Sequence, residues 1–161
     1  MYLDKNDLTK GIRPEVLDTL TRSNAEVWRK FLQKTESGRD AGVRVAEFFV
    51  EEACAEVAGY LSARYDIALE LEKQPSDGSR KPLVVKLVRD IALFNIYNFS
   101  SPVNMPETKQ RAYECAIALL RDVQKEKAAI AGLKRLNSSS EGKTESSYIA
   151  FGGNPKRQNH I

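Results

Sequence analysis

Few side chains in this sequence are of reactive types, and they are scattered. Glu141-Gly142-Lys143-Thr144 carries the ending of a phosphate-binding loop, GxxxxGK[ST], whose glycines let backbone N–H groups wrap a phosphate. The first glycine of that pattern belongs at position 137, where the chain has Asn137. The motif also follows a helical pattern and enters polar sequence, instead of joining a strand to a helix. Nucleotide binding is not expected. Glu47, Glu51, Glu52 and Glu56 form a local acidic cluster. Paired carboxylates do acid–base work only when their surroundings separate their proton affinities. Adjacent helical residues point about 100° apart, so Glu51 and Glu52 cannot address one reacting atom. They read as a solvated face or a charged contact between subunits.

Cys54 and Cys115 are too few for a disulfide scaffold and do not form a CxxC pair. Both fall on apolar stripes, which predicts buried cysteines acting as small hydrophobes. A thiol or hydroxyl nucleophile needs a base nearby, and the single histidine, His160, is the penultimate residue. Zinc chemistry loses its commonest nitrogen ligand for the same reason. Tyr60, Tyr65, Tyr97 and Tyr113 sit on or beside helical stripes, without the interleaved basic residues of a base-stacking platform. The sequence therefore predicts no catalytic residues, no cofactor, no metal and no enzyme.

What remains is the scaffold. The 161-residue chain is 42% hydrophobic and 29% charged, which supplies a core and excludes wholesale disorder. Its apolar runs are too short for a membrane span. Met1-Tyr2-Leu3-Asp4 lacks the basic and apolar regions of a signal peptide. The net charge of +3 is unevenly placed: five of 25 basic and two of 22 acidic residues lie in 133–161, leaving 20 of each in 1–132. A neutral body lacks the broad basic footprint of a dedicated DNA binder.

Apolar periodicity predicts three long helices. Val43 to Tyr65 carries a stripe at spacings of three and four, interrupted by Gly59, whose missing side chain suits close packing. Pro82 opens a second helix over 82–99, and Pro106 a third over 106–130, ending near Gly132. Short helices follow Asp4 and Pro14. Ser23 with Glu26 makes a capping box before Val27, Trp28, Phe31 and Leu32. Residues 33–42 read as a loop or an exposed helical extension, and 66–81 as a turn-rich linker. The expected fold is an all-α helical bundle of three long and two or three short helices, with Phe49, Leu61, Leu87, Ile91, Tyr113 and Leu120 in its core.

Residues 1–132 form that helical domain, and 133–161 an extended C-terminal tail. Within it, 137–147 is polar and 152–160 turn-like, and between them lies Tyr148-Ile149-Ala150-Phe151, with basic residues on either side. Such a segment cannot bury its own side chains, which makes it a partner-docking element. Tyr148, Ile149 and Phe151 are its anchors, with Lys156 and Arg157 reaching acidic groups on another chain.

The order of segments resembles a known family. Met1-Tyr2-Leu3, Asp7-Leu8 and Leu20-Thr21 open the chain. The helix Ala53-Cys54-Ala55-Glu56-Val57-Ala58-Gly59 then leads into Tyr60-Leu61 and Arg64-Tyr65. Arg89-Asp90-Ile91-Ala92 is followed by Tyr97, and Pro106-Glu107 by Arg111-Ala112-Tyr113-Glu114. Over about residues 1–130 this is similar to the phage Mu-type small head proteins of phages and prophages. Those proteins are similar in helical layout to the head–tail connector, or adaptor, proteins of tailed phages. The resemblance implies a structural neck protein forming a ring, commonly of twelve copies. The portal protein would lie on one side and a tail or further neck protein on the other. DNA would pass through without sequence-specific binding, and no membrane is involved. The protein would be made in the host bacterial cytoplasm and end in the virion neck. A different class of function is a small helical regulatory or interaction protein that binds nucleic acid through its basic tail, with salt-sensitive affinity.

Overall fold

A computed structural model describes residues 1–23 and 38–136. Asp4 starts the first helix: its carboxylate accepts the Asp7 N–H at 2.8 Å and caps α1 (Lys5–Thr9). A tight turn through Gly11 leads to α2 (Pro14–Ser23), with Pro14 at the first helical position. Gly11 passes close to the Leu93 side chain: an added Cβ would stand 2.6 Å from the Leu93 Cδ1, so that side chain would have to shift. Ser23 is the last residue of α2; Glu26 and the Val27, Trp28, Phe31 and Leu32 stripe lie outside the described residues.

Helix α3 (Gly38–Leu61) begins before the apolar stripe, so 38–42 is helical. Then come α4 (Ile67–Leu71), α5 (Pro82–Ser100), a 3-10 turn (Pro102–Asn104) and α6 (Glu107–Gln124). Helix α5 is the hub, packing on α1, α2, α3 and α6. It buries Val84, Leu87, Val88, Ile91, Ala92, Leu93, Ile96 and Tyr97, a stripe wide enough to face neighbours on several sides. The protein is all-α: among the described residues there is no strand beyond a single antiparallel bridge between Tyr65 and Arg135.

Phe49, Leu61, Leu87, Ile91 and Leu120 lie in the buried core. Tyr113 is only partly buried, its ring stacked on Phe94 at 3.9 Å between centroids. Four other expectations need correction. Cys115 is exposed and Cys54 half-buried, because α6 packs with one face and Cys115 lies off it. Gly59 has open space around it and no neighbour that needs a glycine. The linker 66–81 contains α4, which buries Ile67 and Glu70.

The last correction is the end of α6, at Gln124 and not near 130. Glu126 takes a left-handed φ of 63°. Lys127 N–H then donates to the Asp122 carbonyl at 2.9 Å and Glu126 N–H to the Val123 carbonyl at 3.1 Å, a Schellman ending. Arg64 holds this turn from the side. Its guanidinium donates to the Val123 carbonyl at 2.5 Å and lies 3.6 Å from the Glu126 carboxylate. Beyond the turn, Tyr65 receives the Ile130 N–H on its hydroxyl at 3.1 Å. Asp66 N–H donates to the Lys134 carbonyl, and Leu136 N–H to the Arg64 carbonyl.

Candidate functional site

The densest polar chemistry in the described residues joins the amino terminus to the segment between α3 and α5. Tyr2 and Leu3 are buried, which draws α1 onto the body. Glu70, only 3% exposed on α4, accepts the Tyr2 hydroxyl at 2.9 Å and the Lys81 N–H at 2.5 Å on one oxygen. Lys73, one turn along, meets its other oxygen at 2.6 Å. Asp7 is 2% exposed and accepts Arg80 and Lys10, each at 2.8 Å. Arg80 also donates to the Tyr2 carbonyl at 2.8 Å, and its guanidinium lies 5.7 Å from the centre of the Tyr2 ring.

Burial alone would raise both carboxyls, but their donors reverse that. Asp7 is held below its ordinary value by Arg80 and Lys10, and Glu70 by Lys73, the Lys81 N–H and the Tyr2 hydroxyl. Tyr2 is pushed far up by burial and by Glu70. Apart from the Arg80 Nε, which is buried without a hydrogen-bond partner, these groups satisfy one another within the fold. The arrangement fastens the chain start to the loop before α5, and it presents neither a free base nor an unprotected nucleophile.

The acidic cluster of α3 is a different kind of surface. Glu51 and Glu52 are exposed and Glu47 is partly exposed. Glu52 accepts the Asn95 amide of α5 at 3.3 Å. Glu56 is half-buried; burial and the nearby Glu52 raise its pKa against a long contact from the Tyr113 hydroxyl. Burial pushes the Cys54 thiol up to about 11, away from thiolate chemistry. A cleft of about 320 Å³ opens between α1, α2 and α3 beside Leu8, Leu17 and Val50. Charged side chains at this cleft pair with each other, Lys5 with Asp18 at 2.8 Å.

Sequence patterning does not single out Glu70 or Arg80, and it marks Asp7 and Tyr2 only as part of the opening segment. The one local hint is a carboxylate at Glu70 set between Leu69 and Leu71. Tyr148, Ile149, Phe151, Lys156, Arg157, His160 and the Glu141–Thr144 motif lie outside the described residues.

The family model described as Bacteriophage Mu, Gp36 matches residues 2–147. The chain belongs to that family. The match takes in the helical body described above, from Tyr2 through the Asp7, Glu70 and Arg80 contacts to the Arg64-held end of α6. No curated protein and no solved structure matches this Gp36-family chain. Among its described residues, no helix is long and apolar enough to cross a membrane.

Proposed function

We propose that this Gp36-family protein is a structural head–tail connector of a tailed phage. It is a helical neck subunit that forms a ring, commonly of twelve copies, between the portal and the tail or next neck protein. The observation that carries this reading is the family match along residues 2–147. The ionic clamp supports it, because the buried charged groups of the body hold its segments together instead of converging on a substrate. A charge-balanced body also suits a channel, since strong attraction to phosphates would hinder DNA passage.

In this reading the C-terminal tail makes the assembly contact, with Tyr148, Ile149 and Phe151 as anchors and Lys156 and Arg157 reaching acidic groups. Docking orders a segment at an entropic cost, which anchor burial and the high effective concentration inside a ring offset. The test is the copy number of this chain in purified particles, with and without residues 138–161. A ring-number stoichiometry that collapses on truncation, with the truncated body still helical, is the expected result. Absence from particles, together with salt-sensitive DNA binding by monomers, would replace the connector with the regulatory reading. Normal occupancy after truncation would make the tail dispensable.

A further inference from the structure

The charges of residues 1–132 balance in number but not in place. Cations gather around the Gly11 turn. The Lys109 ammonium of α6 donates to the Gly11 carbonyl, and the Arg89 side chain of α5 lies against the same glycine. Lys10 and Arg13 stand on either side of Gly11, and Lys86 is one turn from Asp90 on α5. Lys10, Arg13 and Lys86 are exposed. The carboxylates on these segments are Asp7, Glu15 and Asp90. Asp7 is already held by Arg80 and Lys10, and Asp90 by Lys86 and Arg89. Counting Arg80, six cations face three carboxylates. Arg13 has no ion-pair partner among the described residues, and the Arg89 Nε is buried with no hydrogen-bond acceptor.

The opposite excess lies on α3. Glu51 and Glu52 are exposed and Glu56 is half-buried, and no cation pairs with them among the described residues. Glu52 and Glu56 accept neutral groups, the Asn95 amide and the Tyr113 hydroxyl. Helix α6 spans from one surface to the other: Lys109 reaches Gly11, and Tyr113, one turn further along, reaches Glu56.

Building on the ring reading above, we propose that the basic surface around Gly11 docks on the α3 carboxylates of a second copy of this chain. Lys10, Arg13 and Lys86 meet Glu51 and Glu52 across the contact. A phosphate backbone would match the basic surface and leave the carboxylates of α3 unmatched. A second copy matches both, because each subunit carries one surface of each sign and like surfaces repel. The two surfaces are unlike, so the contact is heterologous. Each subunit then offers its basic side to one neighbour and its acidic side to the other, as a closed ring requires.

The test treats purified particles holding the full chain with a zero-length carbodiimide, which joins a lysine amine to a carboxylate only where the two touch. Adducts of twice the chain mass, joining Lys10 or Lys86 to Glu51 or Glu52, are expected. Arg13→Glu with Lys86→Glu should lower the copy number per particle about tenfold, and so should Glu51→Lys with Glu52→Lys. All four reversals in one chain should restore it, which damage to folding would not do. Adducts confined to single chains would overturn the proposal, as would normal copy number with either reversed pair or no recovery in the four-site chain. Coupling of these lysines to the portal would also overturn it. So would lost DNA retention at normal copy number in the Arg13→Glu, Lys86→Glu chain, which would give the surface to a phosphate backbone. The ring reading stands in each of those cases. A chain missing from particles before any substitution would overturn the ring reading, and this proposal with it.

Discussion

Two acidic regions of this molecule use the same side chain in opposite ways. Glu70 and Asp7 are buried and surrounded by donors, so their charges are neutralised by Lys73, Arg80, Lys10 and a backbone N–H. Glu51 and Glu52 are exposed on α3, and Glu52 accepts the Asn95 amide of α5. A buried pair resists the removal of either partner, because the survivor is left charged and dry. A solvated carboxylate can be changed at little cost to the fold. The buried region therefore belongs to stability, and the solvated one is available for recognition. In the sequence alone the order is reversed, because the clustered glutamates of α3 stand out and the scattered clamp residues do not.

The contrast can be tested from its strongest limb downward. Glu70→Ala strands the Tyr2 hydroxyl and the Lys81 N–H and leaves the Lys73 ammonium only the Ser79 carbonyl, and should cost about 3–5 kcal/mol in denaturant unfolding. A loss under about 1 kcal/mol would show that the clamp is not a stabilising unit. Leu87→Ala or Leu120→Ala, apolar positions of similar depth, should cost about 2–5 kcal/mol and gives the scale for comparison.

The pH dependence follows in sign. Asp7 and Glu70 have folded values below their unfolded ones, so their contribution is fully present above the ordinary carboxylate range. It is lost as pH falls below about 4 and through the folded values. Glu70→Gln should flatten that acid limb, as read from melting temperature against pH. An unchanged slope would move acid sensitivity elsewhere.

Two smaller effects probe the exposed side. Gly59→Ala adds a methyl group in open space on α3 and should stabilise by ~1 kcal/mol. Glu51→Lys with Glu52→Lys should leave unfolding within about 0.5 kcal/mol of the parent. A large loss of stability from that pair would erase the distinction between the two regions.

Much of the fold was legible because it rests on periodicity. The stripes from Val45 to Leu61 and from Val84 to Tyr97 repeat at helical spacing, and only a helix brings such residues onto one side. Pro14 and Pro82 marked helix starts through their fixed φ and missing N–H. The candidate site was much less legible. The partners in the clamp are distant in sequence: Tyr2 meets Glu70 across 68 residues and Asp7 meets Arg80 across 73. No local pattern encodes such a pairing, and a carboxylate in a turn-rich stretch is the same whether it ends in water or in the core.

The end of α6 draws the same line. Lys125-Glu126-Lys127-Ala128-Ala129 is made of good helix formers, so propensity carries the helix onward towards Gly132. The folded chain stops it at Gln124 because Arg64, delivered by the turn after α3, takes the Val123 carbonyl and faces Glu126. Helix identity, the apolar faces and the charge imbalance of the tail are local properties, and the order of residues determines them directly. Which charges are buried and which helix end is held depend on groups brought together from far apart. Those were decided only when α3, α5 and α6 closed on one another.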